Sequence, residues 1–526
     1  MFEAQRAVNT RPSQAESVQA GARFDVIVVG GGNAALCAAL AAREHGARVL
    51  VLEKASFEER GGNSYFTGGG FRFAHDGLDD VCRDVLTDLS PAERDIIATL
   101  PAYPTERFYE DLMAVTDNQS EEELARILIS KSRETVVWMR RYGVRWIPMF
   151  NRQSYLVDGR HQFYGGLTIE SSGSGAGLVA ALFTAAEKNG IEICYDSAAR
   201  RLIQNEHGAV TGVEVFAPDK IYAVHTRAVV VACGGFEANP EWRTRYLGPD
   251  WELVRVRGTR HNTGDGLRMV LDIGAAAYGN WSSCHAVAWD ISAPPFGDRV
   301  VLDNFQKHSY TLGIVVNLEG RRFIDEGATY RNLTYAKYGR EIMKQPRRTA
   351  VQIFDQKTVP ILRDEYRIRQ VTRFQAENIE ALAEKLEIDP VALARTVNEF
   401  NAACQPTPFQ PATLDGKKTI GISPPKSNWA VPIDTAPYVA YVTTTGITFT
   451  FGGVRINRDG EVQDTSGRSI PGLFAAGEMI GGLFYGNYPG GSGLTAGSVF
   501  GRIAGNSAGA RARAAPDQAT PHEATS

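Results

Sequence analysis

The sequence predicts an α/β fold: a Rossmann-like domain built on a parallel sheet and interrupted by an inserted α+β segment. Three observations predict it. The stretch FDVIVVGGGNAALCAALAAREHGARVLVLEK from Phe24 has the order strand, glycine turn, helix, strand. A long segment from about Trp281 to Thr445 is mixed in pattern. The last hundred residues then return to short apolar strands and glycine turns, FTFGGVRINRDGEV and GLFAAGE, before a small-residue helix.

In order along the chain, residues 1–23 are polar and lack the apolar core of a signal peptide, so they are expected to form a flexible leader. Val26 to Val29 form a continuous apolar run suited to a buried parallel strand, and a helix is expected from about Asn33 to His45. Ala47 to Leu52 supply the next strand, and parallel neighbours need a crossover, here an Ala-rich helix. Leu78 to Tyr142 carry helical periodicity, and the aromatic stretch after them is expected to be irregular. Alternating apolar residues around the turn His207-Gly208 predict antiparallel ribbons that lead back to the sheet at Val229 to Ala232. A helical piece near Asn378 to Phe400 lies inside the insertion, and residues 510–526 are expected to be a flexible tail.

The bulk numbers narrow the function. A chain of 526 residues exceeds what one core usually organises. With 43% apolar and 22% charged residues and a formal net charge of -4, disorder and nucleic-acid binding are both disfavoured. The six cysteines stand far apart with no CxxC or CxxCH pattern, which indicates neither zinc, an iron–sulfur cluster nor attached haem. They read as buried thiols in a reducing compartment, so a cytoplasmic location is expected. No apolar stretch is long enough to span a bilayer, which leaves only peripheral membrane contact.

The motifs carry cofactor chemistry. Gly30, Gly32 and Ala35 stand in the GxGxxG/A pattern, weak alone but here placed between a buried strand and a helix. Backbone NH groups and the helix dipole would meet a pyrophosphate there. Glu53 ends the second strand, where a carboxylate accepts hydrogen bonds from ribose hydroxyls and disfavours NADP. The glycines of Gly61-Gly62-Asn63-Ser64 and Gly68-Gly69-Gly70 would let backbone lie against a flat ring. Asn262-Thr263-Gly264-Asp265-Gly266 could be simply a capped helix start. GLFAAGE places Glu478 after a strand, and NYPGGSGLTAG opens a helix whose amino terminus could face the N1 and O2 edge of a reduced flavin.

With these pieces together, the chain resembles the flavoprotein family of fumarate reductase, succinate dehydrogenase and 3-ketosteroid dehydrogenase. GGGNAALCAALAARE, the Cys284-His285-Ala286-Val287-Ala288 segment and GITFTFGGV look most like its tricarballylate dehydrogenase branch. The resemblance implies a Rossmann-like FAD-binding domain of the glutathione-reductase type with an inserted α+β capping domain. Its parts would be 24–280 and 447–509, with the cap at 281–446. It implies FAD contacts at Gly30, Gly32, Asn33, Ala34, Ala35, Glu53, Lys54, Gly62, Asn63, Ser64, Thr67, Gly69, Gly70, Asp265, Gly477, Glu478, Ser492, Gly493 and Leu494. Residues 61–70 contain no histidine for a covalent flavin link, so noncovalent FAD is expected.

The same resemblance makes His285 a substrate-binding histidine and Arg331 the proton-transferring arginine, an ion pair of Arg331 with Asp325 or Glu326 being the structural alternative. Four departures stand beside these, two at substrate-binding positions and two in the proton relay. Phe449 replaces a family histidine and Tyr488 a family arginine, and the relay Glu and Arg are replaced by Gln306 and Ser309. NYPG around Tyr488 resembles instead the ketosteroid dehydrogenases, where a tyrosine polarises a ketone. The expected reaction is oxidation or reduction of a CH–CH bond next to a carboxylate or carbonyl, tricarballylate-dehydrogenase-like. A cyclic-ketone desaturase, a fumarate-reductase-type enoate reductase and a flavin binder without turnover are the alternatives. Arg331, His285 and Tyr488 are the expected catalytic residues, with Tyr335 and Tyr488 as alternative bases. Because no second dinucleotide turn appears, electrons are expected to pass to an external acceptor: a partner protein, a quinone or oxygen.

Overall fold

The computed structural model of the chain describes residue 18 and residues 20–514. The elements that position the cleft are, in chain order, β1 (Val26–Val29), α1 (Asn33–Glu44), β2 (Val49–Leu52), α2 (Ser174–Lys188), β3 (Glu192–Cys194), β4 (Ala228–Val231), β5 (Ala277–Asp290), α3 (Tyr335–Met343), β6 (Tyr438–Val454), β7 (Glu461–Gln463), β8 (Ser469–Ala475) and α4 (Ser492–Ala514). One sheet has the order β7-β8-β4-β1-β2-β3. β1 lies at its centre, parallel to both neighbours, with Val26 opposite Ala228 on one side and Val49 on the other. All four of its side chains are buried, as a strand covered on both faces requires. β8 comes from the carboxyl-terminal part of the chain and pairs in parallel with β4, so the first and last portions of the chain build one sheet.

α1 is short of bulky side chains, and α4 packs directly on it. Glycines 501, 505 and 509 recur every fourth residue of α4, along one face. A methyl group on each would press on the carbonyl of Ala34, Ala38 and Ala42 respectively. Small residues at that spacing let the two backbones touch, which fixes the angle at which both amino termini reach the cleft.

The expected antiparallel ribbon is present as Ala198–Gln204, Val210–Ala217 and Lys220–His225. Its first turn is held by Asn205 Oδ1, which accepts the His207 and Ala209 N–H groups. The aromatic stretch expected to be irregular instead contributes the short strands Trp146–Pro148, Ser154–Val157 and Arg160–Phe163.

At the termini the structure differs from the expected leader and tail. Residues 20–23 lie against the ribbon edge, with Gly21 N–H donating to the Ala223 carbonyl and Arg23 bridging His225, because an edge strand offers unpaired backbone groups. Residues 510–514 are the last turn of α4. The remainder of both expected segments, residues 1–17 and 19 and residues 515–526, lies outside the described residues. No helix among the described residues is long and apolar enough to cross a membrane.

The segment after β4 is organised by β5 and β6, which pair antiparallel from Ala277 opposite Val454 to Asp290 opposite Thr443. Ala350–Phe354 and Arg373–Ala376 add to β6, and the helices Ile379–Lys385 and Pro390–Ala403 cover an apolar cluster around Ile314, Ile353 and Phe400. The borders expected at 281 and 446 fall inside β5 and β6, so the chain passes between the two regions on continuous paired strands rather than on linkers.

Candidate active site

One deep cleft runs from the carboxyl ends of β1 and β2 to the β5–β6 pair. Its first end is set by the turn after β1. Gly30 has φ of +110°, and a Cβ there would sit 2.5 Å from the Ala232 carbonyl oxygen, so no other residue fits. A Cβ at Gly31 would collide with the Glu53 carboxylate. Gly32 caps α1 without a side-chain hydrogen bond, and no acidic residue occupies the first turn of α1. The Asn33 N–H donates to Ser64 Oγ at 3.0 Å, and beyond it the helix presents its next N–H groups and the positive end of its dipole to the cleft, which suits a phosphate. Asn33 ties this terminus to that of α4: its Nδ2 donates to the Leu494 carbonyl at 2.9 Å, and its Oδ1 accepts from Ser498 Oγ at 3.0 Å.

Glu53 is 6% exposed, and burial pushes its carboxyl above the usual range. Its Oε1 accepts the Ala55 N–H at 2.8 Å, and further donors such as ribose hydroxyls would offset the remaining desolvation. Lys54 Nζ is held by Asp265 Oδ2 at 2.6 Å and Thr263 Oγ1 at 2.7 Å. Asn63 joins three segments, donating to Glu237 Oε1 at 2.5 Å and the Thr448 carbonyl at 2.7 Å and accepting the Thr259 N–H at 2.9 Å. Glu478 Oε1 accepts the Thr450 N–H at 2.6 Å and its hydroxyl at 2.9 Å. Glu237 is fully buried beside it, and burial together with the Glu478 charge pushes the Glu237 carboxyl well up. A glycine cradle, an open helix terminus and a buried carboxylate at the strand end together fit a dinucleotide.

Of the expected cofactor residues, Gly30, Gly32, Asn33, Ala34, Glu53, Lys54, Gly62, Asn63, Ser64, Thr67, Gly70, Asp265, Gly477, Glu478, Gly493 and Leu494 line this cleft. Ala35, Gly69 and Ser492 do not. Ala35 lies on the packed side of α1, and Gly69, at φ of +72°, is turned against Ser171 and Ser174. Ser492 is fully buried at the start of α4, its hydroxyl without a partner.

At the other end the three expected catalytic residues come together. His285 stands opposite Phe449 in the β5–β6 register, and its ring centroid is 4.9 Å from that of Tyr488 and 5.0 Å from that of Tyr335. Neither imidazole nitrogen has a partner, and burial, with Arg257 nearby, holds its pKa well below the usual histidine value, so the ring is neutral. The hydroxyls of Tyr335 and Tyr488 are 2.5 Å apart. Burial pushes both phenols up, which favours their protonated, donating form.

Arg331 Nη2 donates to the Arg152 carbonyl at 2.9 Å, and Nη1 faces His308 Nδ1 at 3.4 Å. Burial, and then the neighbouring Arg363, lowers its pKa. No carboxylate of the described residues pairs with it. Asp325 is engaged by Ser427 and Glu326 by Arg322, so the ion-pair alternative for Arg331 does not form. Sequence reasoning missed three charged residues lining this end: Arg152, Arg257 and Asp303. Arg152 grips Asp303 with both Nη atoms, at 2.5 and 2.8 Å. Gln306, one of the two departures from the relay, also lines the cleft, donating to Asp303 Oδ2 at 3.2 Å.

Comparison with known proteins agrees with this geometry. A family model described as an FAD binding domain matches residues 25–494. The chain is 29% identical over 518 residues to a probable fumarate reductase of Shewanella frigidimarina, covering 96% of this chain and 76% of that protein. It is 27% identical over 513 residues to a urocanate reductase of Eggerthella lenta, covering 93% and 75%. Among solved structures, a 3-ketosteroid Δ1-dehydrogenase of Sterolibacterium denitrificans superposes with a TM-score of 0.70 at 22% identity, covering 93% of this chain and 99% of that one, a likeness of fold.

Proposed function

Because the chain belongs to the FAD binding domain family and is an FAD-dependent oxidoreductase, we propose that it moves a hydride and a proton across a carbon–carbon bond next to a carboxylate. The substrate class is the acid of tricarballylate type that the sequence resemblance implies. The observation that carries this reading is Arg331, a buried cation lining the cleft without a carboxylate partner among the described residues, an arrangement that costs free energy until an anion arrives.

FAD, held noncovalently by the glycine turn, Glu53, the Asn63 loop and the start of α4, supplies the hydride acceptor or donor when bound. The chain's own residues do the rest. The neutral His285 ring and the Tyr488 hydroxyl offer hydrogen bonds to the oxygens that gain charge as the neighbouring carbon loses or gains its proton. Arg331 transfers that proton, its lowered pKa bringing a guanidinium closer to the working range of an acid–base group. β5 and β6 bring His285 and Phe449 over the site and exclude water from it. Electrons pass to an external acceptor, a partner protein, a quinone or oxygen.

A second reading, a desaturase of cyclic ketones, is favoured by the Tyr335–Tyr488 hydroxyl pair, which is built to polarise a carbonyl. Anaerobic mixing of the FAD-loaded protein with carboxylic acids and with cyclic ketones separates the two. Bleaching of the oxidised flavin by a polycarboxylate, slowed about 100-fold or more in Arg331→Gln at unchanged FAD content, is the expected result. Bleaching by ketones alone sinks the carboxylate reading, and bleaching by neither, with no reoxidation of the reduced flavin by their unsaturated counterparts, sinks both.

A further inference from the structure

The cleft holds more positive charge at its β5–β6 end than one substrate carboxylate calls for. Arg257 lines it and is 8% exposed. Its Nη1 donates to Thr448 Oγ1 at 3.2 Å. Its Nη2 reaches Asp303 Oδ2 and Gln306 Oε1 only at 3.5 Å each, the outer limit of a hydrogen bond, and its Nε has no partner. Asp303 is already committed, because Arg152 takes both of its oxygens in a bidentate pair and Gln306 donates to one of them. Gly68 packs against this Arg152–Asp303 pair, where a Cβ would stand 3.0 Å from Asp303 Oδ2 and strike the Arg152 guanidinium. The pair is thus held in place by the backbone, and Arg257 is the looser of two arginines sharing one carboxylate.

We infer that Arg257 is the group that binds a second carboxylate of the proposed tricarballylate-type acid, held ready by Thr448 and the Asp303–Arg152 pair. This rests on the proposed action next to a carboxylate. Its independent content is that the cation comes from position 257, whereas positions 449 and 488 present rings. The Arg257 guanidinium turns its Nε and its weakly held Nη2 to the incoming carboxylate, while Asp303 stays with Arg152. Arg331 keeps the carboxylate beside the reacting bond. His285 sits near Arg257, whose charge contributes to keeping that ring neutral. The imidazole therefore adds hydrogen bonds and no charge to the subsite.

The test mixes the oxidised, FAD-loaded protein anaerobically with butyrate, succinate and tricarballylate, taking affinity from the flavin absorbance shift for an acid that leaves the flavin oxidised and from the concentration dependence of bleaching for one that reduces it. In the native protein affinity rises with carboxylate number. In Arg257→Gln the di- and tricarboxylate lose about 30-fold or more, the size expected for a hydrogen-bonded charge contact, while butyrate is little changed. Arg257→Lys restores part of that preference, and Thr448→Val weakens it by a smaller factor. FAD content and the melting temperature of each variant report whether the fold is intact. If Arg257→Gln folds and still prefers the polycarboxylates by the native ratio, or loses all three acids equally, this inference is overturned and the carboxylate reading stands. If no acid perturbs the flavin of the native protein, both fall. If Arg257→Gln does not load FAD, Thr448→Val decides, and an unchanged preference there overturns the inference.

Discussion

Gly505→Ala is expected to destabilise the protein although it improves helix propensity. In the interior of a helix the change alone favours folding by about 1 kcal/mol. Here the new methyl would stand 2.8 Å from both Ala38 Cα and the Ala38 carbonyl carbon, and closer still to the carbonyl oxygen, all of them backbone atoms of α1. Backbone cannot rotate away as a side chain does, so α1 and α4 must separate. Overpacking of that kind costs about 1–3 kcal/mol and more where main chain has to move. With three main-chain atoms of Ala38 in the way the cost lies at the upper end of that range, and the net effect is a loss of about 2 kcal/mol. It is accompanied by weaker FAD binding, because the helix starts that carry Asn33 and Leu494 shift with their axes. Gly497→Ala is the milder comparison for stability: a methyl there meets Asn33 Nδ2 at 3.1 Å and the Ala34 methyl at 3.5 Å, and no main-chain atom closer than 3.9 Å. Urea unfolding and FAD release, followed by flavin fluorescence, measure both quantities. A Gly505→Ala protein as stable as the native one, with FAD held equally well, would refute the close-approach reasoning.

Three further outcomes are expected. Glu170 is pushed up to about 7 by burial, so the folded protein keeps its proton to a higher pH than the unfolded chain, whose value is near 4.5, and unfolding releases that proton. Its contribution makes stability fall by at most about 3 kcal/mol as pH rises through that window. Glu170→Gln removes that slope, giving a variant more stable than the native protein at about pH 8 and little different at about pH 4.5, as denaturant unfolding at both values will show; parallel slopes would contradict it. Glu53→Ala raises the FAD dissociation constant about 10–100-fold by losing a hydrogen-bonded carboxylate, and unchanged FAD release would exclude a ribose contact there. Tyr488→Phe leaves FAD content intact and slows flavin reduction by the true substrate about 100-fold; equal rates would remove the phenol pair from the chemistry.

The cofactor end of the cleft was legible in the sequence because its determinants are local. A run of four buried aliphatic residues, glycines whose φ or close contacts admit no side chain, and an acid at the end of the next strand each announce themselves within a few residues. Ala35, Gly69 and Ser492 show the limit of that reading, since a motif names positions in a segment while the side of a helix or loop decides which of them face the ligand. The substrate end was only half legible. Arg152, Arg257 and Asp303 each sit in unremarkable local sequence, and Arg152 is 151 residues from the partner that defines its role. Only tertiary closure gives them meaning. The cap borders were hidden for a related reason: long strands such as β5 and β6 carry no composition change where they pass from one region to the other.

The contact between α1 and α4 also bears on when the protein can become itself. Asn33 is synthesised well before its partners Leu494 and Ser498, which lie 461 and 465 residues later. β1 likewise waits for β4 and β4 for β8 before the sheet has its full width. The phosphate-facing turn thus exists as sequence long before it exists as a site. Contacts this distant are slow to form, and until they do the apolar strands around residue 28 stay open to wrong partners. Capture of FAD therefore waits for β8 and α4, and a nascent chain stalled before residue 490 would hold the glycine turn, the strand and the acid of a dinucleotide-binding protein and bind none.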